Sequence, residues 1–386
     1  MLAGMVTWAE IDLDAVAFNV RAFKRHVGEG VEVFAVVKAN AYGHGAVPVA
    51  QTALAAGATR LAVHRLVEGI QLRSAGIQAP VLVMGYTPPD GASLVVQWGL
   101  TPSLMTLEFA QALSGQAGAL GVRVPVHVKI DTGMSRYGLL PAEVMEFLRL
   151  VLKLPGIELE GLFTHFATAD WADQAVMRQQ LAVFTDVLLA LRQAGIRVPV
   201  IHAANSAAAM RLPEAHFNAV RPGISIYGME PSDQWAPAFE IRPALAVKSR
   251  VSRIRELPPG AGVSYGHTYV APGPIRAALV PVGYGDGYHR SLSSKGCVLI
   301  NGWRAPILGR ICMDQFVVDV SSIPEARQDD EVVILGPQGQ DCLRAEEVAA
   351  LAGTINYEVT TSILPRVTRL YRRNGDIVHI SSLAEQ

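Results

Sequence analysis

Only six of the 33 basic residues in this chain are lysine, and two of them, Lys38 and Lys129, stand where short apolar runs end. The runs, Phe34–Lys38 and Val124–Ile130, are rich in β-branched residues and read as buried parallel strands. In a parallel α/β protein ligands sit outside the carboxyl ends of the strands, so a lysine there faces the usual site. An amine that must lose its proton and attack a carbonyl has to be lysine rather than arginine. A strand-end lysine can equally carry its ammonium out to solvent. Arginine is the ordinary cation of this chain, and that usage favours the chemical reading.

Further along, Asp131-Thr132-Gly133 forms a turn that brings Arg136 to the same rim. His202-Ala203-Ala204-Asn205-Ser206 ends another run and opens a short helix over Ser206–Met210, with Ser206 expected as its N-cap. Arg221-Pro222-Gly223-Ile224 follows the next run, and its glycine lets the backbone approach a ligand closely. Loops after the seventh and eighth strands of a barrel are common phosphate sites. With a strand-end lysine they suggest an aldehyde that carries a phosphate, pyridoxal 5'-phosphate. Lys129, His165 and His202 also resemble part of the ligand set of barrel metallohydrolases. That set needs His-x-His on the first strand and an aspartate after the eighth, where this chain has Val36-Val37-Lys38 and Arg221, so no metal is expected.

The elements that must position these residues alternate up to about residue 230. Candidate strands are Phe34–Lys38, Arg60–His64, Pro80–Met84, Leu100–Leu104, Val124–Ile130, Leu159–His165, Val198–Ala203 and Phe217–Val220, with helical stretches such as Ala46–Ala56, Val67–Ala75, Glu143–Leu152 and Ala175–Ala194 between them. This is the pattern of a (β/α)8 barrel, although a doubly wound open sheet accounts for the same alternation because the fourth and eighth strands are weak. After Glu230 the texture changes to short β-rich runs: Ala244–Ile254, Arg276–Val282, Gly296–Ile300, Ala305–Leu308, Gln315–Val320 and Glu331–Leu335. A helix follows at Ala345–Ala352, then a returning segment, Ile355–Arg369. The expected fold is therefore α/β, with a barrel domain over residues 1–240 and a mostly antiparallel β domain over 241–386.

A net charge of -1 without a basic run speaks against nucleic acid or an anionic membrane as partner. The first 14 residues lack the basic and apolar parts of a secretory leader, and Cys297, Cys312 and Cys342, an odd set without CxxC spacing, read as reduced cytoplasmic thiols.

Ala35-Val36-Val37-Lys38-Ala39-Asn40-Ala41-Tyr42-Gly43-His44-Gly45 resembles the cofactor-lysine signature of the alanine racemases, pyridoxal-phosphate enzymes built from a barrel and a β domain. Asp131–Gly138, Asn205-Ser206, Arg221-Pro222-Gly223, Val263–Gly266, Gly283–Tyr288, Cys312-Met313-Asp314-Gln315 and Ile355-Asn356-Tyr357-Glu358 are similar to further blocks of that family, in order, over nearly the whole chain. The resemblance implies a cytoplasmic homodimeric isomerase that interconverts L- and D-alanine by two-base proton transfer, supplying D-alanine for peptidoglycan or catabolising it. Racemisation of another small amino acid such as serine is the alternative.

Carried over position by position, the resemblance makes Lys38 the Schiff-base lysine and the base on one face of the substrate. Tyr265 of the partner subunit serves the other face. Arg221 faces the ring nitrogen; Tyr42, Ser206, Gly223, Ile224 and Tyr357 hold the phosphate; His165 and Asn205 support them. Arg136 and Met313 bind the substrate carboxylate. Lys129 matches a position often carbamylated, and Tyr284, Cys312 and Asp314 match the access channel. A phenol that accepts a proton near neutral pH needs help, which a chain through His165 to Arg221 would give. Ser135 departs from the family, where glycine is common. A decarboxylase of the same architecture would want an acidic residue in place of Arg221, and a single-barrel cofactor carrier would lack residues 244–386.

Overall fold

The computed structural model describes residues 4–383. Residues 1–3 and 384–386, the outermost parts of the expected domains and of the stretch weighed as a leader, lie outside the described residues. Two compact units emerge: one takes Val16–Ala41 and Ala46–Arg242, the other the residues up to Ala15, Tyr42–Gly45 and those from Pro243 on.

In the first unit β2 (Glu32–Val36), β3 (Arg60–Val63), β4 (Val81–Val83), β5 (Thr101–Leu104), β6 (Val124–Lys129), β7 (Ile157–Phe163), β8 (Val200–His202) and β9 (Ala219–Val220) form a closed parallel barrel, after a first strand β1 (Thr7–Asp12) that belongs to the other unit. Closure comes from β2 beside β9, with Glu32 opposite Ala219 and Val33 opposite Val220. Closure excludes the open-sheet alternative. Helices at Ala46–Ala55, Leu66–Ser74, Leu107–Leu120, Val144–Val151 and Ala175–Gln193 make the crossovers, turning their buried residues to the strands. The weak strand signals have a local cause: β5 reads Thr-Pro-Ser-Leu and β9 is two residues long.

In the second unit β10 (Leu245–Arg250), β11 (Arg253–Leu257), β12 (Gly262–Val263), β13 (Tyr269–Val270), β14 (Ile275–Val280), β15 (Cys297–Ile300), β16 (Trp303–Leu308), β17 (Phe316–Asp319), β18 (Glu331–Gln338), β19 (Asp341–Leu343), β20 (Thr368–Arg373) and β21 (Asp376–Ser381) follow in order. They make one long sheet, β11-β14-β17-β16-β15-β18-β10-β1-β20-β21, with β19 on β18 and a small β12-β13 pair beside it. All its pairings are antiparallel except β1 with β20. The single expected strand Ala244–Ile254 is two, β10 and β11, broken at Val251-Ser252, and the returning segment is a short helix, Asn356–Thr361, followed by β20. Among the described residues no helix is long and apolar enough to cross a membrane.

Candidate active site

The chain does not run straight from β2 into a loop. After Lys38 the residues Ala39, Asn40, Ala41 and Tyr42 all have φ between 51° and 53°, a left-handed helical turn made without glycine. Each L-residue held there costs roughly 1–2 kcal/mol, so the turn must be fastened. Glu68 does this from the start of the next crossover helix: one carboxylate oxygen accepts from the Ala39 N–H at 2.6 Å, the other from the His64 and Arg65 N–H groups at 2.7 and 2.8 Å. Asn40 accepts from Ala46 N–H and starts the helix Ala46–Ala55, while Tyr227 Oη donates to the Val36 carbonyl at 2.7 Å. Lys38 is thus held at the rim by its neighbours' backbone.

Burial, then the nearby guanidinium of Arg136, and then Arg221 pull the Lys38 ammonium below the ordinary lysine value, against the opposing charge of Glu68. Lys129, buried at the end of β6, is pushed down to about 8 by burial, Arg221 and Arg136, and its Nζ lies 5.4 Å from the centre of the Tyr137 ring. Both amines give up a proton more readily than an ordinary lysine. In the loop after β6 the Asp131 carboxylate accepts from Gly133, Met134 and Ser135 N–H groups, which folds the chain back and leaves Arg136 exposed. Ser135 sits at φ 56°, which explains why glycine suits this place. Gly138, at φ 125°, is required: a Cβ there would lie 2.7 Å from Asp131 N.

Arg221 is 3% exposed. Its Nη1 donates to His202 Nδ1 and the His202 carbonyl at 2.7 and 2.9 Å; its Nη2 donates to the carbonyls of Thr164 and Ala203 and reaches His165 Nδ1 at 3.4 Å. His202 therefore spends its Nδ1 lone pair on a guanidinium, which is incompatible with metal ligation through that atom. Burial and Arg221 keep His165 neutral. The expected cap is corrected: Asn205, not Ser206, caps the helix Ser206–Arg211 through Ala208 N–H, because its side chain stands outside the first turn. Ser206 instead accepts from Gly223 N–H at 2.8 Å, fastening the two loops together, with Ile224 next in line.

The remaining expected residues lie on the second unit. Tyr42 is buried and its ring is 6.1 Å from that of Tyr357. Gly43 and Gly45 are needed because a Cβ would strike the Thr360 carbonyl or the Tyr371 hydroxyl, and Arg369 donates to the Gly43 carbonyl at 2.9 Å. Tyr265, Tyr284, Cys312, Met313 and Asp314 line one open concavity of ≈ 590 Å³, in which Tyr265 is 72% exposed. Arg366, invisible as a motif, grips Asp314 at 2.8 Å and Asp286 at 2.7 Å. Glu68, Arg366 and Arg369 carried no sequence signal, since the contacts that matter here, to Ala39, to Asp286 and Asp314, and to Gly43, are with residues distant in the chain.

The family model "Alanine racemase, N-terminal domain" matches residues 11–231, and "Alanine racemase, C-terminal domain" matches residues 244–371. The chain belongs to the alanine racemase family. The alanine racemase of Desulfovibrio desulfuricans is 47% identical over 364 residues, 94% of this chain and 97% of that protein. That of Carboxydothermus hydrogenoformans is 48% identical over 365 residues, 94% and 99% of the two. Among solved structures, the Bacillus anthracis alanine racemase with bound L-Ala-P superposes with a TM-score of 0.94 at 40% identity, covering 99% of this chain and 98% of that one.

Proposed function

We propose that this protein is an alanine racemase, an isomerase that interconverts L- and D-alanine with pyridoxal 5'-phosphate in a homodimer. The observation that carries the reading is Lys38, an amine with a lowered proton affinity at the rim of a barrel whose loops supply Arg221, Ser206, Gly223 and Ile224. The donor set suits the cofactor. Both Nη atoms of Arg221 are committed to protein acceptors, leaving Nε as the N–H to face a ring nitrogen. Ser206 Oγ, which accepts from Gly223 N–H, keeps its own proton to donate to a phosphate, and the hydroxyls of Tyr42 and Tyr357 on the other unit are further donors of the kind a phosphate takes. Bound there, the cofactor supplies the electron sink that makes the α-proton of an amino acid labile.

The chain's own groups then do the rest. Lys38 takes or returns the proton on one face, and Tyr265 of the partner subunit does so on the other. Arg136 and the Met313 backbone hold the carboxylate. Arg221, a donor that cannot give up its proton, leaves the ring nitrogen unprotonated, which disfavours transamination and decarboxylation. Carbamylation of Lys129 would turn a cation into an anion that orients Arg136; an amine near 8 has the neutral fraction this needs. A second subunit would cover the exposed Tyr265 and Met313. D-alanine so made suits peptidoglycan synthesis in the cytoplasm. The bulk of Tyr357 favours a methyl side chain, so serine is the slower substrate.

Lys38→Ala and Tyr265→Ala test this. Lys38→Ala must replace the visible band of the lysine-linked cofactor by a shifted one and abolish the racemisation; an unchanged spectrum contradicts the assignment. Net racemisation by Tyr265→Ala falls equally in both directions, as equilibrium demands. Solvent exchange of the α-proton nonetheless survives for one enantiomer and is lost for the other. Equal exchange losses contradict two opposed bases.

A further inference from the structure

The barrel interior holds a line of polar side chains that the reaction above leaves unused. From Arg221 Nη1 it passes to His202 Nδ1 at 2.7 Å, from His202 Nε2 to His127 Nδ1 at 2.7 Å, and from His127 Nε2 to Glu160 Oε2 at 3.0 Å. Glu160 Oε1 accepts from Arg60 Nη1 at 2.8 Å, and Arg60 Nε donates to Glu32 at 2.8 Å. The line thus crosses from the carboxyl end of β9 to the first residue of β2. Both histidines are fully buried. His202 is stacked between Phe34 and Phe163, each with its ring centre 4.9 Å away. Gly161 makes the room, since a Cβ there would lie 2.3 Å from His127 Nδ1.

Counting hydrogens gives the line one direction. A guanidinium only donates, so His202 Nδ1 must carry a lone pair, and a neutral His202 then holds its proton on Nε2. That N–H requires His127 Nδ1 to be bare, and the Nε2–H of His127 then points at a carboxylate. Burial favours neutral rings at both histidines. Against burial, the hydrogen bonds from His127 and Arg60 hold the Glu160 carboxyl at about 2, so the acceptor end is fixed as an anion.

We propose that His127 and Glu160 are positioning residues for Arg221: they lock the tautomer of His202, and the bare Nδ1 so presented clamps Nη1 and aims Nε at the ligand. The effect on catalysis rests on the role given to Arg221 above; the effect on tautomers does not.

Glu160→Gln tests the lock, because His127 and Arg60 are held by different oxygens of the carboxylate and the amide keeps only one of the two. With the oxygen kept by Arg60, the amide NH2 faces His127 Nε2, both rings reverse, and His202 presents N–H to the N–H of Arg221. Arg60→Met removes the competing donor, so the double variant Glu160→Gln/Arg60→Met frees the oxygen for His127. Glu160→Asp keeps an anion and the original tautomers. The readouts on the holoenzyme are histidine tautomers by nitrogen-15 NMR, cofactor absorbance, and kcat against KM.

Glu160→Gln is expected to move His202 toward its Nδ1–H form and to lower kcat by about 10–100-fold with KM nearly unchanged, the range seen when outer partners of a ligand are lost. The double variant recovers both the tautomers and the rate of Arg60→Met alone. Unchanged tautomers in Glu160→Gln, a rate loss with wild-type tautomers, or no recovery in the double variant overturns the proposal. Switched tautomers with unaltered rate and absorbance instead overturn the assignment of Arg221 to the ring nitrogen, and the positioning role falls with it.

Discussion

Replacing Ala39 by glycine should stabilise this protein, although the same change inside an ordinary helix costs about 1 kcal/mol. Ala39 is exposed and stands at φ 51° in the left-handed turn after Lys38, so glycine loses no packing and sheds the steric penalty. That relief of roughly 1–2 kcal/mol exceeds the added entropy cost of roughly 0.5–1, leaving a gain of about 0.5–1 kcal/mol. Glu68→Ala should act in the opposite direction. Its carboxylate fastens three N–H groups, and two of those residues, Ala39 and Arg65, are exposed enough for water to replace part of the loss. A total of about 2–4 kcal/mol follows, below the sum of three charge-assisted bonds at about 1.5–3 each. If Glu68 offsets strain in the turn, Ala39→Gly restores part of the stability lost in Glu68→Ala. Urea denaturation followed by circular dichroism reads all three variants, with kcat reporting whether Lys38 has moved. Destabilisation by Ala39→Gly, or an effect of Glu68→Ala under about 0.5 kcal/mol, would refute the reasoning.

Lys129 binds its proton less well folded, at about 8, than unfolded, at 10.5, so the unfolded chain holds more protons between these values and stability rises with pH across that window. In CO2-free buffer urea midpoints should show this rise in the wild type and lose it in Lys129→Met. Tyr227→Phe leaves the buried Val36 carbonyl without its hydroxyl donor and should cost about 1–3 kcal/mol in the same denaturation, with cofactor absorbance retained. Gly138→Ala forces the loop that presents Arg136 away from Asp131, and KM for alanine should rise about tenfold, equivalent to about 1.4 kcal/mol of carboxylate binding.

Strand-end lysines, glycine loops and the change of texture after Glu230 were legible because each is written in neighbouring residues. The barrel strands β2 and β6 could be read from their repeated valines, with Phe34 beside them in β2, whereas β9 has two residues and almost no pattern to offer. The left-handed turn was illegible for a different reason: of Ala39, Asn40, Ala41 and Tyr42 only asparagine tolerates that backbone readily, and the restoring contact comes from Glu68, 29 residues on. Ser206 looked like a cap because its type favours one; Asn205 took the place because the chain turns one residue earlier. His127 and Glu160 sit inside apolar strands and show their partnership only once β6, β7 and β8 are side by side.

The most direct test of the central claim is to incubate the purified protein with L-alanine in D2O, following α-proton exchange by NMR and D-alanine by chiral chromatography together. Exchange accompanied by D-alanine, approaching equal amounts of the two enantiomers, is the predicted result. A protein that carries bound cofactor yet neither exchanges the α-proton nor forms D-alanine would contradict it.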